Sequence, residues 1–128
     1  MTEGLSERVL RIIEGRNFAH LATLMPDGSP HVTPVWIDRE EEVLLVNTAE
    51  GRVKHRNVLR DPRVAISITD QEDPYERIIL RGRVVEVTGE GAEEHIDHLS
   101  RKYTGRSFQR IPGQKRVIIR IELTRVSS

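Results

Sequence analysis

The stretch FAHLATLMPDGSPHVTPVWI (residues 18–37) decides the fold that this sequence predicts. Two runs with strand-forming character, residues 18–25 and 31–37, flank the tetrapeptide PDGS at residues 26–29. Pro, Asp, Gly and Ser each favour a tight turn, because they pre-set or tolerate the backbone angles that a turn needs. The two runs are therefore predicted to be neighbouring strands joined by a short connection.

Further strands and three helices are predicted in the rest of the chain. Residues 43–48 form a third apolar run after a charged turn at residues 38–42, so the first half is predicted to be a three-stranded antiparallel meander. Later runs with the character of a half-buried strand lie at residues 64–69, 78–88 and 116–126. Apolar spacing or regular charge predicts helices over residues 5–14, 51–60 and 92–103.

The ends of these elements carry recognisable signals. Ser6 is predicted to cap the first helix, and Asp61-Pro62 is predicted to end the second, since the residue before proline is pushed out of helical geometry. Gly82, inside a long strand, predicts a bulge or bend. Six antiparallel strands bury a common face most easily by closing into a barrel. The sequence therefore predicts a mainly β fold, a β-barrel with flanking helices, as one domain over residues 1–128.

Composition argues against several classes of function. The chain has 20 Lys plus Arg and 20 Asp plus Glu, a formal net charge of zero, and only 4% aromatic residues. Nucleic-acid-binding domains carry a basic excess and stacking platforms, so no nucleic-acid partner is expected. The absence of cysteine excludes disulfides and thiolate metal sites and fits a cytoplasmic location. No segment resembles a signal peptide or the ~20 apolar residues of a membrane span, so no membrane association is expected.

The stretch NTAEGRVKHRN (residues 47–57) carries the candidate chemistry. It runs from the end of a predicted strand into a predicted helix, where free backbone amides and the helix dipole favour an anion. Arg52, Lys54 and Arg56 follow within the first turns, and their side chains are suited to phosphate oxygens. Taken alone, this stretch is either a phosphate-binding site or a solvated basic helix that offsets the acidic turn at residues 38–42.

The histidines and serines predict no further site. His20 and His31 lie on neighbouring predicted strands, but no third ligand with suitable spacing is evident. His95 and His98 are three apart beside Glu94 and Asp97, a pattern that predicts an exposed helix of mixed charge. No metal site is therefore predicted. There is no G-x-S-x-G segment and no glycine-rich phosphate loop, so neither a hydrolase nor a kinase is indicated.

Three segments together resemble a known family: residues 18–37, residues 44–68 (LLVNTAEGRVKHRNVLRDPRVAISI) and residues 76–87 (ERIILRGRVVEV). They are similar to the pyridoxamine-phosphate-oxidase-like split barrels, and within these to members that use the deazaflavin coenzyme F420 in place of FMN. The resemblance covers residues 5–126. It implies a six-stranded antiparallel split β-barrel of the FMN-binding type. It also implies an oxidoreductase that works as a homodimer with its coenzyme at the subunit interface.

The resemblance assigns cofactor-binding residues to this sequence. Arg52 and Lys54 match the family's phosphate-binding basic pair, and Asn47 and Thr48 match the strand end that meets the ring. Arg77 matches a position that often contacts the cofactor, although an exposed strand-edge charge is an equal alternative. The strand that lies along the ring corresponds to His31, Val32, Thr33, Pro34, Val35 and Trp36. Trp36 is either part of the pocket wall or a packing aromatic.

Four other basic residues also have assignments that follow from the resemblance. Arg56 and Arg60 would suit the additional carboxylates of a deazaflavin tail, or they are surface charges. Lys115 and Arg116 match contacts that commonly come from the second subunit. The chain ends at Ser128 without the Arg-containing tail of the oxidases that act on pyridoxamine phosphate, which favours a reductase.

The expected function is hydride transfer from reduced F420, or alternatively FMN, to a small organic acceptor. The cofactor supplies this chemistry, so no acid–base residue has to be identified, and the catalytic residues are unassigned. The alternative from another class is a non-catalytic protein that binds a flavin or a tetrapyrrole. The acceptor is not identified, because loops at residues 70–76 and 104–114 are expected to form its site.

Overall fold

The fold is a single antiparallel sheet with three helices, in a computed structural model that describes residues 5–127. The strands run in the spatial order β2-β1-β5-β6-β7-β4-β3. The elements are α1 (Glu7–Glu14), β1 (Ala19–Leu24), β2 (Pro30–Val35), β3 (Asp38–Glu40), β4 (Val43–Ala49), α2 (Val53–Arg60), β5 (Arg63–Thr69), β6 (Arg77–Thr88), α3 (Ala92–Thr104) and β7 (Arg116–Ser127). The predicted mainly β class with flanking helices is confirmed.

The order of the strands differs from the predicted meander. β1 and β2 form the expected hairpin, with Ala19 opposite Val35 and Leu24 opposite Pro30. β4, however, lies at the far side of the sheet between β7 and β3. The predicted meander is wrong because β4 is buried along almost its whole length and finds a similarly buried partner in β7, with which it pairs over seven residues. Local turn signals locate such a strand but do not choose its neighbour.

Residues 5–127 contain seven strands, and the sheet that they form does not close. Residues 38–40, predicted as part of a charged turn, form the short strand β3 beside β4. Within residues 5–127 the edge strands β2 and β3 pair with β1 and β4 only, so no ladder joins the two edges. The sheet nevertheless surrounds one apolar core, to which α1, α2 and six of the seven strands contribute buried side chains.

A bulge at Gly82 shapes the sheet where β6 passes β7, as predicted. The β6–β7 register shifts between Arg81 and Gly82. A Cβ atom at position 82 would lie 2.5 Å from the carbonyl oxygen of Glu122 and 2.8 Å from Cγ2 of Ile121. Only glycine allows the two strands to approach this closely.

The helices begin and end where the sequence signals indicate. Ser6 caps α1, because its hydroxyl accepts a hydrogen bond from the amide of Val9 at 3.2 Å. α2 ends at Arg60, with Asp61 as its C-cap just before Pro62. The buried side chain of Asn57 ties α2 to β1 by donating to Oγ1 of Thr23 at 2.9 Å. In the described part of the chain, no helix combines the length and apolar character needed to cross a bilayer.

Candidate functional site

A pocket of about 340 Å³ lies where several chain segments meet. It is bordered by the ends of β2 and β4, the start of α2, one face of α3 and the loop that joins α3 to β7 (residues 105–115). Polar and positively charged side chains line one part of the wall: Asn47, Thr48, Arg52, Lys54 and Arg116. Apolar and aromatic side chains line the rest: Phe18, Pro34, Val35, Trp36, Ile96, Phe108 and Ile111.

The junction between β4 and α2 presents most of the polar side chains. Asn47 and Thr48 are among the last residues of β4. The chain then turns at Gly51, whose φ of 91° is a left-handed conformation that favours glycine. The Gly51 amide donates to Nδ1 of His55 at 2.9 Å, so a side chain from the first turn of α2 holds this bend in place. The turn brings Arg52, the N-cap of α2, and Lys54 to the pocket.

The three cations of the pocket have no acidic partner close by. Among residues 5–127, none of the ion pairs within 4.0 Å involves Arg52, Lys54 or Arg116. Burial lowers the pKa of Lys54, and the positive charges of Arg52 and Arg116 lower it further. Burial and Arg52 also lower the pKa of Arg116, against a smaller opposite effect from Glu93. An anion in the pocket would compensate this crowding of like charges.

Polar atoms without partners also point to a ligand. Oγ1 of Thr48 is buried and makes no hydrogen bond, although Thr48 lines the pocket and is only 3% exposed. Buried polar atoms in proteins are nearly always paired, so this hydroxyl fits a ligand that offers a polar group. Two atoms on β2, Nδ1 of His31 and Oγ1 of Thr33, are likewise buried without a partner. The unpartnered hydroxyl of Thr48 and the cations of this pocket thus fit an anionic cofactor that also carries a polar group.

An aromatic stack supports the apolar side of the pocket. Trp36 lies parallel to Tyr103, with ring centroids 5.4 Å apart and an interplanar angle of 6°. The Tyr103 hydroxyl donates to the carbonyl of Asn17 at 2.8 Å and accepts from the amide of Ile37 at 3.1 Å, which fixes the ring from α3. Phe18 packs on the same tyrosine at 5.8 Å. Trp36 is therefore both a wall of the pocket and a packing aromatic.

The pocket contains seven of the eleven residues assigned from the resemblance: Pro34, Val35, Trp36, Asn47, Thr48, Arg52 and Lys54. His31, Val32 and Thr33 belong to the same strand but lie beyond the lining, and Val32 faces outward with 57% exposure. Arg77 is not among the lining residues either. It begins β6, where its carbonyl accepts a hydrogen bond from Arg8 at 3.2 Å. A cofactor contact stays a prediction for all eleven assigned residues.

Of the four other basic residues assigned from the resemblance, one lines the pocket and three do not. Arg116 lines the pocket of its own chain, whereas Lys115 beside it is exposed and outside the lining. Arg60 donates to the carbonyl of Leu24 at 2.8 Å and to Oδ1 of Asn57 at 2.7 Å, so it holds α2 against β1. Arg56 is exposed on α2.

Sequence reasoning missed the lining residues that come from distant segments. Phe108 and Ile111 lie in the loop before β7, and the ring of Phe108 is 5.2 Å from the guanidinium carbon of Arg116. Phe18 precedes β1, and Tyr103 stands behind Trp36. The chain has only five aromatic residues, and four of them lie in or directly behind the wall of this pocket. The positions of these few aromatic residues are therefore the one signal in the sequence that could have indicated the distant segments of the site. In residues 5–127 no group of three or more metal-ligating side chains is present.

Comparison with known proteins agrees with this geometry. A family model described as pyridoxamine 5'-phosphate oxidase matches residues 5–128. A solved F420 reductase is 31% identical, with 91% of this chain and 94% of that chain covered and a TM-score of 0.83. A putative pyridoxamine 5'-phosphate oxidase from Listeria innocua is 20% identical, covers 94% of both chains and has a TM-score of 0.74.

A putative 5-nitroimidazole antibiotic resistance protein from Bacteroides thetaiotaomicron is 17% identical, with coverage of 98% of this chain and 82% of its own and a TM-score of 0.70. At this identity, and at that of the Listeria protein, the likeness concerns the fold alone. The match of the family model, by contrast, extends over every described residue. The chain belongs to the pyridoxamine 5'-phosphate oxidase family.

Proposed function

We propose that this protein is an oxidoreductase that binds the deazaflavin coenzyme F420 in the pocket and reduces a small organic acceptor. One observation carries the proposal: three cations without acidic partners, Arg52, Lys54 and Arg116, face the same pocket as the aromatic wall of Phe18 and Trp36. Family membership indicates a flavin-binding oxidoreductase. The similarity to an F420 reductase favours the deazaflavin over FMN.

The residues of the pocket divide the work of binding between them. Arg52 and Lys54 would hold the phosphate, since a guanidinium binds its oxygens through two parallel hydrogen bonds and an ammonium adds a compact charge. The unpartnered hydroxyl of Thr48 would meet a polar group of the ligand. Trp36, held flat by Tyr103, would support and desolvate an aromatic ring.

When bound and reduced, the coenzyme supplies a hydride, and the protein binds it, orients it and excludes water. The described lining of the pocket contains no carboxylate and no imidazole, so we assign no general acid or base. The exposed side of the pocket, where Ile111 is 53% exposed, would receive the acceptor. The rest of this wall carries no charged side chain, because the charged residues of the lining are the three cations that would hold the coenzyme. This part of the wall therefore suits an apolar acceptor.

We also propose that the active form is a homodimer. Small or apolar side chains lie in register on part of the outward face of β2, β1 and β5, with Val32 opposite Ala22 and Ala22 opposite Ala65, and Arg81 of β6 borders them opposite Ala65. Ile79 on β6 extends the same face and is 45% exposed. Pro34 belongs both to this face and to the pocket lining, so a second copy seated here would border the coenzyme. Val32→Glu should produce monomers in sedimentation velocity and weaken coenzyme binding, whereas a dimer that survives this change packs elsewhere.

The test of the coenzyme is a pair of titrations. The purified protein is titrated with F420 and with FMN, and binding is followed by quenching of coenzyme fluorescence. We expect F420 to bind at least tenfold more tightly. Tighter binding of FMN would assign the alternative cofactor, and binding of neither would overturn the proposed function.

A second measurement separates an enzyme from a carrier. Reduced coenzyme is incubated with the protein, with and without quinones, tetrapyrroles and unsaturated lactones, and its oxidation is followed by absorbance. Acceptor-dependent oxidation at catalytic protein concentrations supports the reductase. Tight binding without oxidation in any of these mixtures would instead assign a non-catalytic flavin-binding or tetrapyrrole-binding protein.

A further inference from the structure

A line of hydrogen bonds connects the pocket to His95, a histidine on α3 whose side chain is largely covered. Nε of Arg116 donates to Oδ1 of Asn47 at 2.9 Å. Nδ2 of the same asparagine lies 3.2 Å from Nδ1 of His95. On its other side, Nε2 of His95 is 3.1 Å from Oδ2 of Asp38. Four side chains from β7, β4, α3 and β3 are thus joined in one series.

The chemistry of the groups determines the direction of every bond in this series. Arg116 can only donate, so the amide of Asn47 must direct its oxygen toward the guanidinium. Nδ2 then faces the carbonyl of Ala92, to which it donates at 2.9 Å, and Nδ1 of His95. Because Nδ2 is a donor, Nδ1 of His95 must be the unprotonated acceptor nitrogen. Nε2 therefore carries the proton and donates it to Asp38.

Asp38 is well suited to the end of this series. Its burial would raise the pKa of the carboxyl, but hydrogen bonds from His95 and from the Arg39 amide lower the pKa overall. The carboxylate is therefore an acceptor for His95. Only 9% of the His95 side chain is exposed, so little water competes for its nitrogens.

Arg116 needs such support because its neighbours in the pocket repel it. Arg52 and Lys54 line the same pocket, and no carboxylate among the described residues lies within 4.0 Å of the Arg116 guanidinium. Its neutral contacts are the Asn47 oxygen, Oε1 of Gln114 at 2.9 Å and the ring of Phe108. Of these, the Asn47 oxygen comes from a strand in the core of the sheet, whereas the other two belong to the loop before β7.

We infer that His95 and Asp38 are positioning residues, which fix the amide of Asn47 so that its oxygen holds Arg116 in place to bind the anionic part of the coenzyme. This inference rests on the proposed function for the identity of the ligand, but the preorganisation of Arg116 is a property of the protein without ligand. Preorganisation raises affinity because the ordering of a long side chain is completed before binding.

Two NMR measurements on the protein without coenzyme test the preorganisation directly. The imidazole nitrogen shifts of His95 at neutral pH should show a proton on Nε2 and a bare Nδ1. The Nε–H of Arg116 should give a resolved signal with slow solvent exchange, as expected for a hydrogen-bonded guanidinium. A proton on Nδ1, or fast exchange at Arg116, would overturn the inference irrespective of what the protein binds.

Variants of His95 then test the consequence for F420 binding. His95→Asn retains an acceptor oxygen close to the place of Nδ1, whereas His95→Leu removes both nitrogens. Loss of the neutral hydrogen bond between Asn47 and His95 predicts F420 binding about fivefold to tenfold weaker in His95→Leu, and within about twofold of wild type in His95→Asn. In an Arg116→Met background, the same His95→Leu change should have no further effect.

The outcomes distinguish this inference from the proposed function. Failure of the wild-type protein to bind F420 overturns the proposed function and leaves the NMR prediction standing. Normal F420 binding by His95→Leu, or an equal loss in the Arg116→Met background, overturns the positioning role. If His95→Leu does not fold, Asp38→Ala carries the same expectation, with the Arg116 Nε–H signal as its measurement.

Discussion

Replacement of Lys54 by methionine should have opposite effects on binding and on stability. Lys54 is buried beside Arg52 and Arg116, and its pKa is lowered by burial and by both of these charges. The ammonium group is therefore unfavourable in the protein alone and becomes favourable when an anion binds. Methionine retains the length and the apolar contacts of the side chain but removes the charge.

The size of both effects follows from the surroundings of the ammonium group. A hydrogen bond to a charged group contributes about 1.5–3 kcal/mol, and 1.36 kcal/mol is a factor of ten, so F420 should bind roughly ten- to hundredfold more weakly. Removal of an unpaired, buried charge should stabilise the protein without ligand by about 1 kcal/mol, which is roughly 3–5 °C in Tm for a chain of this size.

Fluorescence titration measures the first effect, and urea denaturation of the protein without coenzyme measures the second. Arg16→Met is the matched control, because Arg16 is exposed and outside the pocket lining, and it should change neither quantity by more than about 0.5 kcal/mol. If Lys54→Met unfolds more easily and still binds F420 with wild-type affinity, Lys54 supports the fold and the anion site has been placed wrongly.

Three further predictions use the same two assays. F420 binding should weaken as the pH rises through the lowered pKa of Lys54, since the affinity is complete only below that pKa, and Lys54→Met should lack this alkaline loss. Gly82→Ala should destabilise the protein by about 2 kcal/mol in urea, because its Cβ would meet the Glu122 carbonyl at 2.5 Å; an unchanged midpoint would show that the bulge adapts. Ser6→Ala should cost about 1 kcal/mol through loss of the α1 cap and leave F420 affinity unchanged; a change in affinity would connect α1 to the pocket.

The first part of the site could be predicted because it is continuous in sequence. Asn47, Thr48, Arg52 and Lys54 lie within eight residues of one another, at a junction between a strand and a helix that local signals reveal. Once that junction is recognised, these side chains can only gather at one end of β4. The hairpin of β1 and β2 was predictable for the same reason, since its turn is encoded by four adjacent residues.

Arg116 shows where local reasoning ends. It was expected to reach the cofactor from the second subunit, yet it lines the pocket of its own chain because β7 pairs with β4, which places Arg116 opposite Ala49. β4 pairs with β7 because both strands bury most of their side chains in the same core. The predicted meander instead placed β4 beside β2, which is wrong. The same pairing brings Arg116 within 2.9 Å of Asn47, although 69 positions separate them in the sequence.

By itself, the sequence determined the class of fold, most element ends and the basic junction after β4. These depend on backbone preferences and turn chemistry over a few neighbouring residues, which act in the same way wherever the segment lies. Only the tertiary structure decided which strands are neighbours, that the sheet stays open, and that Tyr103 stands behind Trp36 while His95 reaches Asn47. Those outcomes depend on how distant apolar faces exclude water together, and no local stretch of sequence contains that information.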